Sequence, residues 1–489
     1  MQHAIAGAHL RLGGVFFVAL VMCCTCISII ALISYQFPSI NSLALLSIFV
    51  VGLLAMYTLG NSRSILIYLP VYNLVSMALA FPIGGIIVSL GLSSESAALI
   101  NGSRPILLFL LMGYLLLCRV ILSAPGLVPI LLLCMILLVG FLKSDGDYQS
   151  RAAYLMNSFS SFFFVLCYSE YLVSKKTILN YCSVSLLKFF FLFLIFSTIF
   201  NVLLIFSFYD LFRPDLYFSY RDRSVDGVQY GEFPGSWTSS VGSFSFYRMT
   251  GSFSDPIQWG YFCAVTSLAT YFSFLKSNSK LQYICLLFFS VLLLFLSGSK
   301  GSWLLFLGTI LIYHSRIKNA VIGTIAMIFY VVAVFVVSSL SGTSGVIHLA
   351  GLIGGTTSIL NAGPIDMIFG YGMGSGGNLA TSVGADVEEY KKTWLMNGSE
   401  SGFGVLIYQL GLFGVFVFVY FLKRLRNALK SNKEANLSKS VYIDSFVISY
   451  FTLFFLQENL LNSAFLFVFF SLIVFVINFD KEKNENIFH

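Results

Sequence analysis

The residues of this sequence with the most chemistry to offer fall in two stretches. Between 212 and 255, Arg213, Arg221, Arg223 and Arg248 alternate with Asp215, Asp222, Asp226 and Glu232 and with aromatic residues that include Tyr217, Trp237 and Tyr247. Aromatic faces pack on the C–H faces of sugar rings. Arginine grips phosphate oxygens through paired N–H groups, which lysine cannot do. The second stretch, 341–400, begins apolar and glycine-rich, with Gly351-Leu-Ile-Gly-Gly and then Gly370-Tyr-Gly-Met-Gly-Ser-Gly-Gly. It ends polar, with Asp386, Glu388, Glu389, Lys391, Lys392, Trp394, Asn397 and Glu400. The glycine run is not followed by the Gly-Lys-Ser/Thr of a nucleotide-binding loop. Three residues are candidates for a general base: Glu400, Asp255 and His348. Glu400 precedes an apolar run, so a helix N-terminus would stabilise its anion; the same position also suits a plain cap. Asp255 precedes Pro256 and reads equally as a cap, and His348 sits among apolar neighbours, where a structural role is commoner. Glu458 and Asn459 either line the same cavity or make an ordinary turn.

The elements that must position these residues are membrane-spanning helices. The chain has 489 residues, 58% hydrophobic and 10% charged, against about 25% charged for a soluble domain. Apolar runs of spanning length recur along it. They predict an all-α polytopic membrane protein of about fourteen transmembrane helices: 12–34, 40–60, 65–91, 104–123, 127–143, 153–173, 187–211, 256–275, 281–297, 302–315, 320–340, 401–422, 441–458 and 461–479. In lipid the backbone must satisfy its own hydrogen bonds, hence helices. The nine cysteines lie mostly in these runs and form no disulfide framework. The histidines are scattered, with no H-E-x-x-H, so neither a metal site nor a cofactor is expected.

Orientation follows from basic residues. Lys423, Arg424, Arg426, Lys430, Lys433 and Lys439 make the 423–440 loop the most basic connection, and it is expected in the cytoplasm. Alternation then places both termini and the tail 480–489 inside, and loops 212–255 and 341–400 outside. On that topology six of the twelve arginines are external but only four of the sixteen lysines, which fits a phosphate-bearing ligand on the outer face. The two long loops are expected to hold short or re-entrant helices, because apolar but broken backbone at membrane depth is tolerated only around a cavity. The whole chain, 1–489, reads as one integral membrane domain.

Four segments resemble the O-antigen polymerase and ligase superfamily. Arg248-Met-Thr-Gly-Ser-Phe-Ser-Asp-Pro256 is similar to its R-x-x-G-x-F-x-x-P motif, and Ser297-Gly-Ser299-Lys300-Gly301 to a short S-R-G-like turn, with Lys for Arg. Phe369-Gly-Tyr-Gly-Met-Gly374 resembles its G-x-G segment. Glu400-Ser-Gly402 with Gln409-Leu-Gly-Leu-Phe-Gly414 resembles the E-S start of the next span. The matches run in the family's order over residues 210–425.

The resemblance implies transfer of a growing glycan from undecaprenyl diphosphate to a sugar hydroxyl of another lipid-linked repeat unit, at the outer face of a bacterial inner membrane. The leaving lipid diphosphate then needs cations: Arg248 and Lys300, assisted by Arg221 or Arg223, with Glu400 as base. Asp255, Tyr247, Trp237, Tyr371 and Asn397 would bind substrate. Expected partners are the lipid-linked oligosaccharide, membrane lipid and a chain-length regulator protein, with no nucleic acid. Two rivals stand beside this. A ligase, which transfers glycan to lipid A–core, is expected to carry a histidine just before the span that follows the second loop, where this chain has Asn397-Gly-Ser-Glu400. A lipid-linked oligosaccharide flippase would need polar residues along its spans, whereas here nearly all charges lie at span ends or in the outer loops.

Overall fold

The computed structural model describes residues 124–144, 183–206, 209–217, 237–241, 244–276, 280–340, 343–378, 396–430 and 437–461, with scattered positions at 78–89, 151–155 and 233–234. The expected spans 12–34, 40–60 and 104–123, most of 65–91, 153–173 and 461–479, the tail 480–489, and Arg221 and Arg223 lie outside the described residues.

The described residues are mostly helical. In chain order they form α1 (Ala124–Lys143), α2 (Ser183–Phe206), α3 (Tyr209–Phe212), strands β1 (Thr238–Val241) and β2 (Phe244–Tyr247), α4 (Pro256–Lys276) and α5 (Lys280–Leu296). Then follow α6 (Lys300–Lys318), α7 (Ala320–Leu340), α8 (Thr343–Leu360), α9 (Pro364–Phe369), α10 (Gly402–Lys430), α11 (Leu437–Phe454) and a 3-10 turn, Glu458–Leu461. Helices α4, α5 and α7 coincide with apolar runs of the sequence to within a residue or two. Helix α6 is longer than its run, because its polar ends stay helical. Helix α11 ends at Phe454, short of the expected 458, so Glu458 stands outside it.

One helix among the described residues, Gly402–Tyr420, is alone long and apolar enough to cross a bilayer. Phe190–Leu204 with Tyr209–Tyr217 adds a second if that pair, bent by 104°, counts as one span. Other apolar helices are shorter, among them Lys280–Leu296 and Ala320–Val336. Several turn large apolar side chains outward: Leu281, Phe288 and Phe295 on α5, Val321, Ile325 and Phe329 on α7.

The chain divides into two compact units, 1–107 with 181–255, and 108–180 with 256–489. In the first, an aromatic core holds an antiparallel hairpin in which Thr238 pairs with Tyr247 and Val241 with Phe244. Phe81, Leu204, Tyr217 and Trp237 are fully buried, and Phe200, Phe212, Phe233 and Tyr247 pack against them. Trp237 stacks on Phe233 with centroids 5.5 Å apart and meets Phe81 edge-on at 5.6 Å, geometries that aromatic pairs prefer.

In the second unit α4 packs on α5 and α6, α6 on α7 and α11, and α10 on α8, α9 and α1. Hydroxyls inside these helices are satisfied locally. Thr266, Thr270 and Ser273 of α4 donate to carbonyls four residues back, and Ser267 donates to Ser290 of α5. At one end of the unit Asp444 of α11 takes Arg426 of α10 at 2.6 and 3.2 Å and Arg316 of α6 at 3.2 Å. The other end carries the site described next.

Candidate active site

Helix α10 is broken at Gly411, whose φ of 65° and ψ of −164° lie outside the helical region. A Cβ there would come within 2.4 Å of the Ile368 carbonyl oxygen, so only glycine lets α9 cross at this point. The break frees carbonyls that a continuous helix would use itself. Those of Tyr408 and Gln409 instead accept the N–H groups of Tyr371 and Gly372, at 2.9 and 3.0 Å. The Gln409 side chain continues the pairing: its oxygen accepts from the Gly374 N–H at 3.2 Å and its amide donates to the Gly376 carbonyl. Met373 N–H reaches the Gly140 carbonyl on α1 at 2.7 Å, and Lys143 bonds Asp366 at 2.6 Å and the Gly370 carbonyl. The glycine segment is thus laid against the broken helix and its N–H groups are largely spent. It is a structural insert and not a phosphate cradle.

Helix α8 approaches the same place through small residues. His348, Gly351 and Gly355 are spaced three and four apart, on one helical face. A Cβ at Gly351 would fall 1.9 Å from the Ser399 carbonyl oxygen, and one at Gly355 would fall 2.7 Å from that of Gly404. This small-residue packing, of the kind helices use where close backbone approach is needed, brings His348 to Glu400. The imidazole Nδ1 is 2.9 Å from the Glu400 carbonyl oxygen and 3.6 Å from its carboxylate Oε2. A carbonyl only accepts, so Nδ1 carries the proton and Nε2 of the neutral ring keeps its lone pair. Imidazole and carboxylate are both part-exposed. Together they make an acid–base pair able to take a proton from a hydroxyl.

Glu400 itself is strained: its φ is +69°, a region that costs a non-glycine residue on the order of 1–3 kcal/mol. Two hydrogen bonds to the next segment hold it there. The Glu400 N–H donates to the Glu458 carboxylate at 3.1 Å, and the Glu458 N–H donates to the Glu400 carbonyl at 3.2 Å. While Glu458 is ionised, a bond to it is worth about 1.5–3 kcal/mol, comparable with the strain. Ser401 adds a bond from its hydroxyl to the Phe455 carbonyl, 2.6 Å. The Ser297–Gly301 turn reaches the same segment. A Cβ at Gly301 would collide with the Gln457 amide, and Tyr261 donates to the Gln457 side chain.

In the first unit, the segment 248–255 is tied down by side chains. Asn201 donates to Thr250 at 3.0 Å, and the Ser197 and Ser252 hydroxyls share a bond of 2.9 Å. The Trp237 indole donates to the Ser254 carbonyl at 3.2 Å, and the Arg248 N–H to the Trp237 carbonyl at 2.7 Å. Phe253 meets Phe193 edge-on at 6.1 Å. Arg248 is left half-buried. Burial presses its pKa down, and the charge of Asp255 opposes that and keeps it a cation.

The sequence-derived residues therefore separate. Glu400 and His348 come together, whereas Tyr371, on the glycine segment, lies against Tyr408 with ring centroids 4.8 Å apart and donates to the Ser358 carbonyl. Asn397 lies part-exposed just before Glu400. Lys300 is exposed at the first position of α6. Arg248 and Asp255 are electrostatic neighbours within the first unit. Two expectations change. Trp237 has no exposed surface and is the anchor of the hairpin core, so it offers no face to a sugar. Tyr247 packs against Phe233 and Trp237, and burial pushes its hydroxyl pKa up; it too is chiefly a packing residue. Arg213, one of the arginines expected outside, is taken by the buried Asp215 at 2.7 and 3.0 Å. Tyr154, Gln409 and Glu458, none of them among the sequence-derived site residues, hold the main chain and side chains of this region together. A polar glutamine seven residues into an apolar helix was the available signal for Gln409. Among the described residues no cluster of His, Cys, Asp or Glu is placed to hold a metal ion. No family model, curated protein or solved structure matches the chain.

Proposed function

We propose that the chain is a membrane glycosyltransferase that polymerises surface polysaccharide, moving a glycan from undecaprenyl diphosphate to a hydroxyl of another lipid-linked repeat unit at the outer face of a bacterial inner membrane. One observation carries this reading. Three segments that resemble superfamily motifs, around 297–301, 369–374 and 400–414, are far apart in sequence. They are held to one another or to residues 455–458 at one end of the second unit. The arrangement gives their spacing a purpose: Gln409 holds the G-x-G segment, and Glu400 is set against a histidine. The outward apolar side chains of α5 and α7 favour lipid as solvent, since a soluble monomer rarely exposes so many together. The opposite end of the unit carries Arg316 and Arg426, the side expected in the cytoplasm.

In this reading His348 Nε2 takes the acceptor hydroxyl's proton, and Glu400 stabilises the imidazolium that results. The departing diphosphate needs cations: the second unit supplies Lys300, on the turn that reaches Gln457, and the resemblance adds Arg248 of the first unit, whose guanidinium can bind phosphate oxygens in pairs. The pairing of His348 with Glu400 also favours a second reading, the ligase. The histidine that the sequence lacks just before α10 is supplied in space by α8. The two readings differ in acceptor.

Glycolipid gels from a strain lacking the chain and complemented with variants test both. Arg248→Ala and His348→Ala are expected to leave a single capped repeat unit and no ladder. A bare core in either variant would transfer the assignment to the ligase. Full-length ladders in both would refute the proposed site.

A further inference from the structure

Behind the Glu400–His348 pair lies a second carboxylate that is too enclosed to act on a substrate. Glu458 is 8% exposed, yet three hydrogen-bond donors converge on its carboxyl group. The Tyr154 hydroxyl donates to Oε1 at 2.7 Å, the Asn378 N–H lies 2.8 and 3.0 Å from the two oxygens, and the Glu400 N–H donates to Oε2 at 3.1 Å. Room for this is made by Gly377, whose φ is +86° and where a Cβ would sit 2.0 Å from the Tyr154 hydroxyl. Asn378 closes the glycine segment and Glu400 opens the approach to α10. The two N–H groups belong to different segments but end on one carboxyl group.

We infer that Glu458 is a positioning residue: by binding the backbone N–H groups of Asn378 and Glu400 together it fixes the glycine segment and sets the Glu400–His348 pair in register. Its effect on transfer rests on the function proposed above; the positioning does not. Removing the negative charge should weaken both backbone bonds at once, because a neutral carboxyl is a poorer acceptor than a carboxylate. The surroundings make that charge labile. Burial raises the Glu458 pKa most, and repulsion from Glu400 adds to it, while the bonds from Tyr154, Asn378 and Glu400 hold it down; the balance stands at about 7. The groups that face the carboxyl are thus Tyr154 and Glu400. His348 stands beyond Glu400, Tyr450 donates to the Leu460 carbonyl in the same 3-10 turn, and Tyr261 donates to Gln457. A proton on Glu458 would loosen the Glu400–His348 pair without touching either side chain directly.

The test uses the full chain in lipid nanodiscs and two independent readouts. Infrared difference titration of the wild type is expected to show a protonated-carboxyl band with a midpoint near pH 7. The band should be lost in Glu458→Gln and shifted to higher pH in Tyr154→Phe, which removes a bond that favours the anion. A wild type without the band, or a Glu458→Gln variant that keeps it, overturns the inference. In the transfer assay, Glu458→Gln is expected to lower the rate per folded molecule at least tenfold and to flatten its dependence on pH between 6 and 8. Glu458→Asp should recover part of the rate. A Glu458→Gln variant with reduced yield but wild-type rate and pH profile per molecule shows a merely structural residue and overturns the inference. If the band behaves as expected while Arg248→Ala and His348→Ala transfer normally, the positioning stands and the proposed function falls.

Discussion

The two motif-bearing regions are held in opposite ways. Residues 248–255 are fastened largely by side chains: Thr250, Ser252 and Phe253 are each spent on a neighbour in the same unit, while the Arg248 N–H and the Ser254 carbonyl are tied to Trp237. Around Glu400 the fastening is by backbone, with Gly351, Gly355 and Gly377 allowing close approach and Gln409 and Glu458 bonding main-chain groups. The first arrangement presents one long side chain, Arg248, from a firm base. The second holds the main chain itself in a costly conformation so that two short-range groups meet. Phosphate binding tolerates the reach of an arginine, whereas proton transfer requires heavy atoms within about 3 Å. On the function proposed here, that difference in tolerance matches the difference in construction.

The comparison can be broken at either end. Trp237→Ala should be the most damaging packing change, since a fully buried indole is lost from the hairpin core. A destabilisation of about 3–5 kcal/mol, read from thermal unfolding in detergent, is expected, and a loss below 1 kcal/mol would show that the aromatic core is not what holds the region. Of similar scale, Gly355→Val should force α8 away from Gly404 and separate His348 from Glu400. Transfer should fail while the 238–247 hairpin keeps its wild-type protection from hydrogen exchange; loss of protection there too would deny the independence of the two regions.

In the second region the buried Glu458 carboxyl is placed to respond to pH near neutrality. The folded Glu458 titrates near 7 and the unfolded one near 4.5, so between those values the folded state binds more protons. Stability should therefore be highest below about pH 4.5 on this group's account. It should fall by about 3 kcal/mol as pH rises to 7, and that slope should vanish in Glu458→Gln. A slope of opposite sign that is abolished by the same variant would mean the carboxyl is ionised throughout. The smallest expected effect is Asn201→Ala, about 1 kcal/mol for one buried hydrogen bond. It should shift the unfolding midpoint and leave the pH slope unchanged.

Much of the helical scaffold was legible because long apolar runs have one physical reading. The bounds of α4, α5 and α7 lie where Pro256, Lys280 and Ala320 end the polar connections. What lay beyond the pattern was contact between distant segments. Nothing local to His348 announces Glu400, since the link runs through a glycine stripe whose partner lies some fifty residues on. The stretch around Gly351 read as cavity-lining backbone and proved to be a packing face. The hairpin did have a local signal, Gly242-Ser243 between two short runs rich in Ser, Val, Phe and Tyr, a pairing that favours a tight turn. The aromatic content of that loop drew the reading toward sugar instead, and burial of Trp237 and Tyr217 reverses it.

One carboxylate gathers the main chain at both Asn378 and Glu400, two positions far apart in the sequence. The arrangement has the topology of a clasp: a change that opens it at one N–H is felt at the other, so the end of the glycine segment and the approach to α10 are coupled through a single side chain.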